Sequence, residues 1–296
     1  MTTKWLLPRF ALLLAGITTA VLINHPMYTL AVLGSAVIMF VDGSLAAAAA
    51  IPFLFIAGVS GLIVGNALLP TTYDQQLWRF DGLLGFQPSD LVAKLFHAVP
   101  VVGWVSMSVY NGIFVVLTLI ALDRKRSHTL ILKILIAAVA AGLLCAIVPA
   151  CGPGYLARGD LAQRPRDCIP SGHLAWALLL FWHSRREWGK AAQALCGLYV
   201  ALTFLATLGS GEHYLIDLAV AVPFALAVDR LIPFHLSGVL YCTSVTLFWL
   251  LFLRYGLAHL SPADWLLVSA TIGSAVLVDM SIEPGKKTER FIREAA

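Results

Sequence analysis

Two short segments of the sequence carry side chains that could transfer a phosphoryl group. The first is a Pro-Ser-Gly-His segment that ends at His173, and the second runs His-Tyr-Leu-Ile-Asp from His213 to Asp217. On a helix, the four-residue spacing places His213 and Asp217 on one face, where the carboxylate can hold one ring nitrogen while the other attacks phosphorus. His173 then remains as the general acid for a departing alkoxide.

Each histidine stands where an apolar stretch begins, and therefore at the predicted N-terminus of a helix. Such a terminus offers unpaired N–H groups and a partial positive charge, which favour phosphate. Ser171 and Gly172 supply backbone donors there, and three arginines upstream can bind phosphate oxygens in pairs, namely Arg158, Arg164 and Arg166. Nucleophile, acid and anion site are thus predicted without a metal ion or another cofactor.

The composition indicates what kind of protein must position these groups. Of the 296 residues, 59% are hydrophobic and 12% are charged, whereas charged residues make up about a quarter of soluble domains. This predicts a membrane protein and excludes a disordered chain, a disulfide scaffold and a nucleic-acid-binding protein. The net charge of +4 is attributed to membrane orientation rather than to an acidic partner.

About twenty apolar residues are needed for a helix to cross the hydrocarbon core, where every backbone polar group must be paired. We predict an all-α integral membrane protein with about ten transmembrane helices, at residues 10–23, 27–41, 45–69, 99–122, 129–148, 170–183, 191–208, 213–231, 236–255 and 263–280. The first stretch resembles a signal peptide but lacks a clear cleavage site, and it is kept as a span.

The charges of the loops predict the orientation. With the N- and C-termini in the cytoplasm, most of the 20 Lys and Arg residues fall on the cytoplasmic side, as the positive-inside rule requires. The three arginines named above fall on the opposite side, together with both histidine segments. The site is therefore predicted to face the extracytoplasmic side of a multi-pass protein of the cell membrane.

We expect one polytopic membrane domain over residues 1–296. Its parts are N-terminal accessory helices (1–69), an outer interfacial amphipathic segment (70–97), the catalytic core (98–235), C-terminal helices (236–280) and a cytoplasmic tail (281–296). The segment 70–97 mixes apolar and charged residues in the pattern of an interfacial helix. It has either a plain structural role or the role of a rim or lid that meets the substrate.

The two histidine segments resemble the type 2 phosphatidic acid phosphatase superfamily, over roughly residues 152–223. The resemblance implies a six-helix phosphatase-like core in the C-terminal two-thirds of the chain. It also implies His213 as a nucleophile that forms a phosphohistidine, Asp217 as its partner and His173 as general acid. The phosphate ligands that it implies are Ser171, Gly172 and Arg164.

Two departures from the family pattern bear on the substrate. The basic residue upstream of the Arg164-Pro165 pair is Arg158, six residues before it, where the family has Lys seven residues before. Ala206 and Thr207 stand where the family usually has Ser-Arg. Arg158 or Arg166 is our hypothesis for the replacement of the missing arginine.

The missing arginine and the His-Tyr-x-x-Asp form are closer to the branch of inositol phosphorylceramide synthases and sphingomyelin synthases, which move a head group between lipids. A phosphohistidine can be resolved by water or by an alcohol. We therefore predict a lipid phosphatase or phosphotransferase that acts on a lipid phosphate or phosphodiester. Its partners are a membrane lipid substrate and, for transfer, a second alcohol or lipid acceptor.

Two cysteines, Cys151 and Cys168, are predicted on the outer side, where the compartment is generally oxidising. They either form a disulfide that pins the arginine loop or remain two small buried thiols.

Other functions fit the sequence less well. The Asp42-Gly43 pair resembles the start of the metal-binding motif of CDP-alcohol phosphotransferases, but Ala47 stands where an arginine is expected and no downstream Asp pair follows. A transporter is the non-enzyme alternative, although the polar residues gather at one surface rather than at mid-bilayer. An inactive homologue that binds lipid is a further alternative.

Overall fold

The structure is a computed structural model, and it describes residues 32–36, 38, 69–122, 124–161, 164, 166–232, 234–256 and 260–281, with the backbone alone for 124–127. Within these ranges the regular structure is helical, so the all-α prediction is confirmed there. The helices from residue 74 onward are α1 (Asp74–Gly82), α2 (Pro88–Ala98), α3 (Pro100–Asn111), α4 (Ile113–Leu122), α5 (Arg124–Leu144), α6 (Pro153–Arg158), α7 (Gly172–Glu187), α8 (Lys190–Gly209), α9 (Leu215–Leu231), α10 (Leu236–Tyr255) and α11 (Ala263–Ser281).

Helices α7 to α11 begin and end close to five of the predicted spans, and α10 coincides with the span at 236–255. By length and composition, α8, α10 and α11 could each cross a membrane, and α2 with α3 would make a fourth span if the bent pair counts as one. Most of the predicted spans at 10–23, 27–41 and 45–69 lies outside the described residues. The prediction of about ten spans therefore remains a prediction.

The predicted span at 99–122 is interrupted. Helices α2 and α3 meet at an angle of 116° at Val99, and α3 gives way to α4 at Gly112. The bend has a local cause, because Pro100 disfavours the α conformation in the residue before it and lacks an N–H. Val99 accordingly has φ −132° and ψ 78°, outside the helical region.

The predicted interfacial segment contains α1 and α2, and α1 packs into the body of the protein. Its buried side chains lie three, six and seven residues after Asp74, at Leu77, Phe80 and Asp81, a spacing that gives one helix face. Phe80 contacts Trp265 of α11, with ring centroids 5.3 Å apart. This burial favours the structural role over that of a free lid.

Helices α7 and α9 run parallel and are connected at both ends. At their N-terminal ends, Ser171 Oγ lies 3.4 Å from His213 Nε2. At their C-terminal ends, Arg186 donates two hydrogen bonds to Asp229, at 2.6 and 2.9 Å. Lys133 of α5 adds a 2.8 Å ion pair to the same buried carboxylate. Two cations offset the cost of burying Asp229, and they fix α5, α7 and α9 relative to one another.

Candidate active site

The imidazole of His213 is held in one orientation by its two ring nitrogens. Nδ1 lies 2.8 Å from the backbone oxygen of Cys168, and Nε2 lies 3.4 Å from Ser171 Oγ. A carbonyl can only accept, so Nδ1 carries the proton of the neutral ring and Nε2 carries the lone pair. The side chain is nearly buried, and its free lone pair points to the N-terminal end of α7.

Asp217 does not hold His213 in the way that the sequence predicted. Its Oδ2 is 3.7 Å from His213 Nδ1, too long for a direct hydrogen bond. The same oxygen accepts the backbone N–H of Tyr214 at 2.8 Å, and the thiol of Cys168 donates to it at 2.5 Å. The direct orienting group is thus the Cys168 carbonyl, while Asp217 caps the start of α9 and acts on His213 through its charge.

The protonation of His213 reflects a balance between burial and negative charge. Burial lowers the pKa of His213, but Asp217 together with the charges of Glu212 and Asp167 outweighs it, and the net pKa is raised from its ordinary value. The carboxylates therefore favour the cationic ring. A cation is also the form that the ring takes after its Nε2 bonds to phosphorus, so the same charges would stabilise that product.

His173 is the second residue of α7 and lies against an aromatic ring of α3. Its imidazole stacks on Tyr110 with ring centroids 4.1 Å apart and planes at 29°. The hydroxyl of Tyr110 donates to Glu212 at 2.6 Å, next to His213 in the chain. The two predicted histidines are thus brought together at one end of the bundle.

The N-terminal end of α7 is arranged as the sequence predicted. Ser171 is its N-cap, and the Ser171 hydroxyl accepts the backbone N–H of Leu174 at 3.4 Å. Around Gly172, no atom lies within 4 Å of the position that a Cβ would take. An anion could therefore approach the first backbone donors of the helix beside His213.

The three predicted arginines have separate surroundings. The guanidinium groups of Arg158 and Arg164 lie 4.9 and 5.0 Å from the ring centroid of Tyr155. Arg164 also makes a 2.6 Å ion pair with Asp160, and both side chains of this pair are partly exposed. Arg166 is buried and interacts with the thiol of Cys151. These contacts leave the predicted phosphate-binding role of each arginine a prediction.

In the structure Cys151 and Cys168 are both free and buried, as in the alternative of two small buried thiols. Their side chains point to different partners. The Cys168 thiol faces Asp217 and lies 3.2 Å from the backbone oxygen of Glu212, whereas Cys151 Sγ lies 3.8 Å from that of Leu161. Burial raises the pKa of Cys151 to about 12, so this thiol stays protonated near neutral pH.

Two carboxylates of α1 hold the backbone around His213. Asp74 accepts the backbone N–H groups of Cys151 and Gly152, at 3.0 and 2.8 Å, and the hydroxyl of Tyr214 at 3.0 Å. Asp81 accepts the backbone N–H of Leu215 at 2.6 Å. Both acids are buried. They fix the segment that contains His213 from both sides, a role that the sequence reasoning missed.

The loop that carries the arginines packs closely on the loop before His213. Gly152 has φ +112°, and a Cβ there would come within 2.4 Å of the backbone oxygen of Glu212. The backbone N–H of Gly154 donates to Gly211 at 2.8 Å. Only glycine at position 152 permits this approach. The two loops are therefore one packed unit.

The ligand atoms of Cys168, His213 and Asp217 lie within 4.8 Å of one another, a separation at which three such atoms could hold a metal ion. In the structure the Cys168 thiol donates to Asp217, and His213 Nδ1 is hydrogen-bonded to the backbone oxygen of Cys168. A metal would have to displace the thiol proton and the bond that orients His213. The arrangement suits a positioned nucleophile better than a metal ligand set.

Comparison with known proteins identifies the family. A profile described as the PAP2 superfamily matches residues 75–230, which is more than half of the chain. Comparisons with curated proteins and with solved structures return no significant match. The matched region extends from α1 to the end of α9 and contains both histidine segments and the carboxylate of Asp81. On this match, the chain belongs to the PAP2 superfamily.

Proposed function

We propose that the protein is a lipid phosphatase or phosphotransferase that works through a phosphohistidine at His213. Membership of the superfamily supports an enzyme of phosphatase type. The observation that carries the finer proposal is the orientation of His213. Its Nδ1 proton is held by the Cys168 carbonyl, so the lone pair of Nε2 faces the end of α7 where a phosphate would bind.

The first half of the reaction forms a bond from Nε2 to phosphorus and breaks the ester bond to the leaving oxygen. The leaving alkoxide takes a proton from His173, which stands at the same helix end. The ring of His213 becomes cationic and keeps its bond from Nδ1 to the carbonyl. The negative charges of Asp217 and Glu212 stabilise that cation.

The second half reverses the roles of the groups. His173 takes a proton from water or from an alcohol, whose oxygen attacks phosphorus as the bond to Nε2 breaks. Water gives free phosphate, or a phosphorylated head group if the substrate is a diester. An alcohol gives a new ester. The residues described serve either acceptor, so the two reactions are treated as one class.

We place the site at the extracytoplasmic face of the membrane, with lipid entering sideways from the outer leaflet. Support comes from the opposite ends of α7 and α9, where basic side chains gather at Lys133, Arg186 and Arg230. Such residues favour the cytoplasmic side. The three helices able to span a membrane, α8, α10 and α11, support burial of the lipid tails in the bilayer.

A trapping experiment tests the proposal. Purified protein is mixed with phosphatidic acid that carries ³²P in its phosphate, quenched in alkali and separated on a denaturing gel, because a phosphohistidine survives base and is lost in acid. We expect acid-labile label on the wild type and none on His213→Ala. His97→Ala, which changes an exposed histidine of α2, is the control and should keep the label.

Label on His213→Ala at the wild-type level would contradict the proposal. The same reaction is then run with and without diacylglycerol, ceramide or inositol. Free ³²P-phosphate in every case indicates hydrolysis, and a new labelled lipid that appears only with an acceptor indicates transfer.

A further inference from the structure

An apolar cavity of about 360 Å³ lies between α7, α8, α9 and α11. Helix α7 packs against both α8 and α9, and α9 packs against α11, so α8 and α11 stand on either side of the cavity. Its lining is apolar, with Ser269 as the one hydroxyl among the residues that form it. The proposed phosphoryl transfer uses none of these side chains.

The lining of the cavity reaches the same level along α7 and α9 as the two histidines. Leu174, which lines it, is the residue after His173, and Leu215, which also lines it, lies two residues after His213. From there the lining continues for about one turn of α7, to Leu178, and for about two turns of α9, to Val222. One end of the cavity therefore lies at the level of the phosphate site, and the rest extends away from it along the bundle.

The wall formed by α11 is not part of the region that matches the family. The match ends at residue 230, whereas α11 spans Ala263–Ser281 and supplies Trp265, Val268, Ser269 and Ile272. Both α8 and α11 are apolar enough to cross a membrane. The cavity is thus bounded by two lipid-compatible helices, and one of them is a feature of this chain beyond the family match.

We propose that this cavity binds one acyl chain of the lipid substrate, with α11 as the wall that determines which chains fit. The inference rests on the proposed function, because it assumes that the phosphate of the same lipid reaches His213. An acyl chain is the occupant that the position favours, since it must leave a bound phosphate along an apolar path.

The test compares one long-chain lipid with one water-soluble ester. The substrates are dioleoyl phosphatidic acid in mixed micelles and glycerol 3-phosphate in solution. Ser269→Trp fills the cavity from α11, and Val200→Trp fills it from α8. Ala270→Trp puts the same indole on the neighbouring exposed position of α11 and serves as the control.

We expect both cavity variants to lower kcat/KM for the long-chain lipid on the order of tenfold, because the indole occupies space that the acyl chain needs. The rate with glycerol 3-phosphate should stay within about twofold of the wild type, because the phosphate site is untouched. Ala270→Trp should change neither rate. Equal losses on both substrates, or no loss on the lipid, would overturn the inference.

A second measurement needs no turnover and uses the wild-type protein. Phosphatidic acid with a diazirine near the end of one acyl chain is photolysed on the protein, and the labelled peptides are mapped. We expect label on the peptides of α8 and α11 that contain Phe204 and Val268, and competition by unlabelled dioleoyl phosphatidic acid. If these peptides are labelled but neither phosphate nor a new lipid is formed, the proposed function fails and the binding site stands. If either product is formed but the peptides are not labelled, the binding site fails alone.

Discussion

The hydroxyl of Tyr110 donates a 2.6 Å hydrogen bond to Glu212, the residue that precedes His213. The ring of the same tyrosine stacks on His173. One buried residue of α3 therefore contacts His173 directly and, through its hydroxyl, the residue before His213. Because α3 begins only after the bend at Val99, that bend helps to bring Tyr110 to the site.

The contact between Tyr110 and Glu212 predicts that two conservative variants shift the pH dependence of kcat/KM in opposite directions. Attack requires neutral His213, so the acidic limb of kcat/KM reports the pKa of His213 in the free enzyme. Glu212 is one of the charges that raise the pKa of His213. Glu212→Gln should therefore move the acidic limb to lower pH. Tyr110→Phe should move it to higher pH, because Glu212 loses the donor that offsets its charge.

The other groups that act on His213 are unchanged in these variants, namely Asp217, Asp167 and His173. Tyr241→Phe removes a hydroxyl that bonds to Ser274, away from the site, and should leave the pH profile as it is. Shifts of the same sign for Glu212→Gln and Tyr110→Phe would contradict the predicted role of the pair.

The capping bonds from Asp81 predict a loss of both stability and turnover in Asp81→Ala. Two backbone N–H groups at the start of α9 would lose their acceptor, at a cost of about 1–2 kcal/mol. His213 lies directly before this helix, so kcat should fall as well. Thermal unfolding in detergent and steady-state rates measure the two effects.

Asp90→Ala, at an exposed position of α2, is the matched control and should leave the unfolding temperature and the rate near the wild type. An unchanged unfolding temperature in Asp81→Ala would show that the cap carries little of the stability of α9.

The free thiols predict that labelling of the cysteines with maleimide does not depend on a reductant. The structure has five free cysteines, all buried. Denatured protein should therefore take up five maleimide groups with or without dithiothreitol, as read by intact mass. Native protein should react slowly at every site. A gain of two labels on reduction would mean that a disulfide forms in the protein as purified.

The ion pairs predict that removal of a buried carboxylate lowers the stability of the protein more than removal of an exposed one. Asp229→Ala would leave Lys133 buried without its anion and remove the partner of Arg186, a loss on the order of 3–5 kcal/mol. Asp160→Ala removes an ion pair with partly exposed side chains and should lower the stability much less, because solvent screens that pair. Thermal unfolding of the two variants in the same detergent measures the difference in stability. Equal stabilities would contradict the prediction.

The helices that the sequence predicted well are those with long apolar runs and clear ends. Helix α10 matches its predicted span, and the ends of α8, α9 and α11 differ from the predicted ones by at most two residues. The segment at 99–122 was harder to predict because its composition is apolar throughout. Its breaks at Val99 and Gly112 come from local backbone geometry that hydropathy does not register.

The sequence predicted which residues form the candidate site better than it predicted the contacts that they make. Both histidines and the capping Ser171 follow from short motifs, since residues close in sequence share a helix end. The Cys168 carbonyl, Tyr110 and Asp74 contact the site from distant parts of the chain, and no local pattern signals such contacts. The acids at Asp74 and Asp81 do have a sequence signal, because a seven-residue spacing on an apolar helix face marks two buried carboxylates.

The contacts at both ends of α7 and α9 restrict changes in the length of these two helices. From Ser171 to Arg186 there are fifteen steps along one helix, and from His213 to Asp229 there are sixteen along the other. Insertion of a single residue between either pair would displace one terminus by about 1.5 Å and turn it by about 100°, so both attachments could not survive. Apolar side chains between the two attachments can be exchanged for others of similar volume, whereas the length of each helix cannot change.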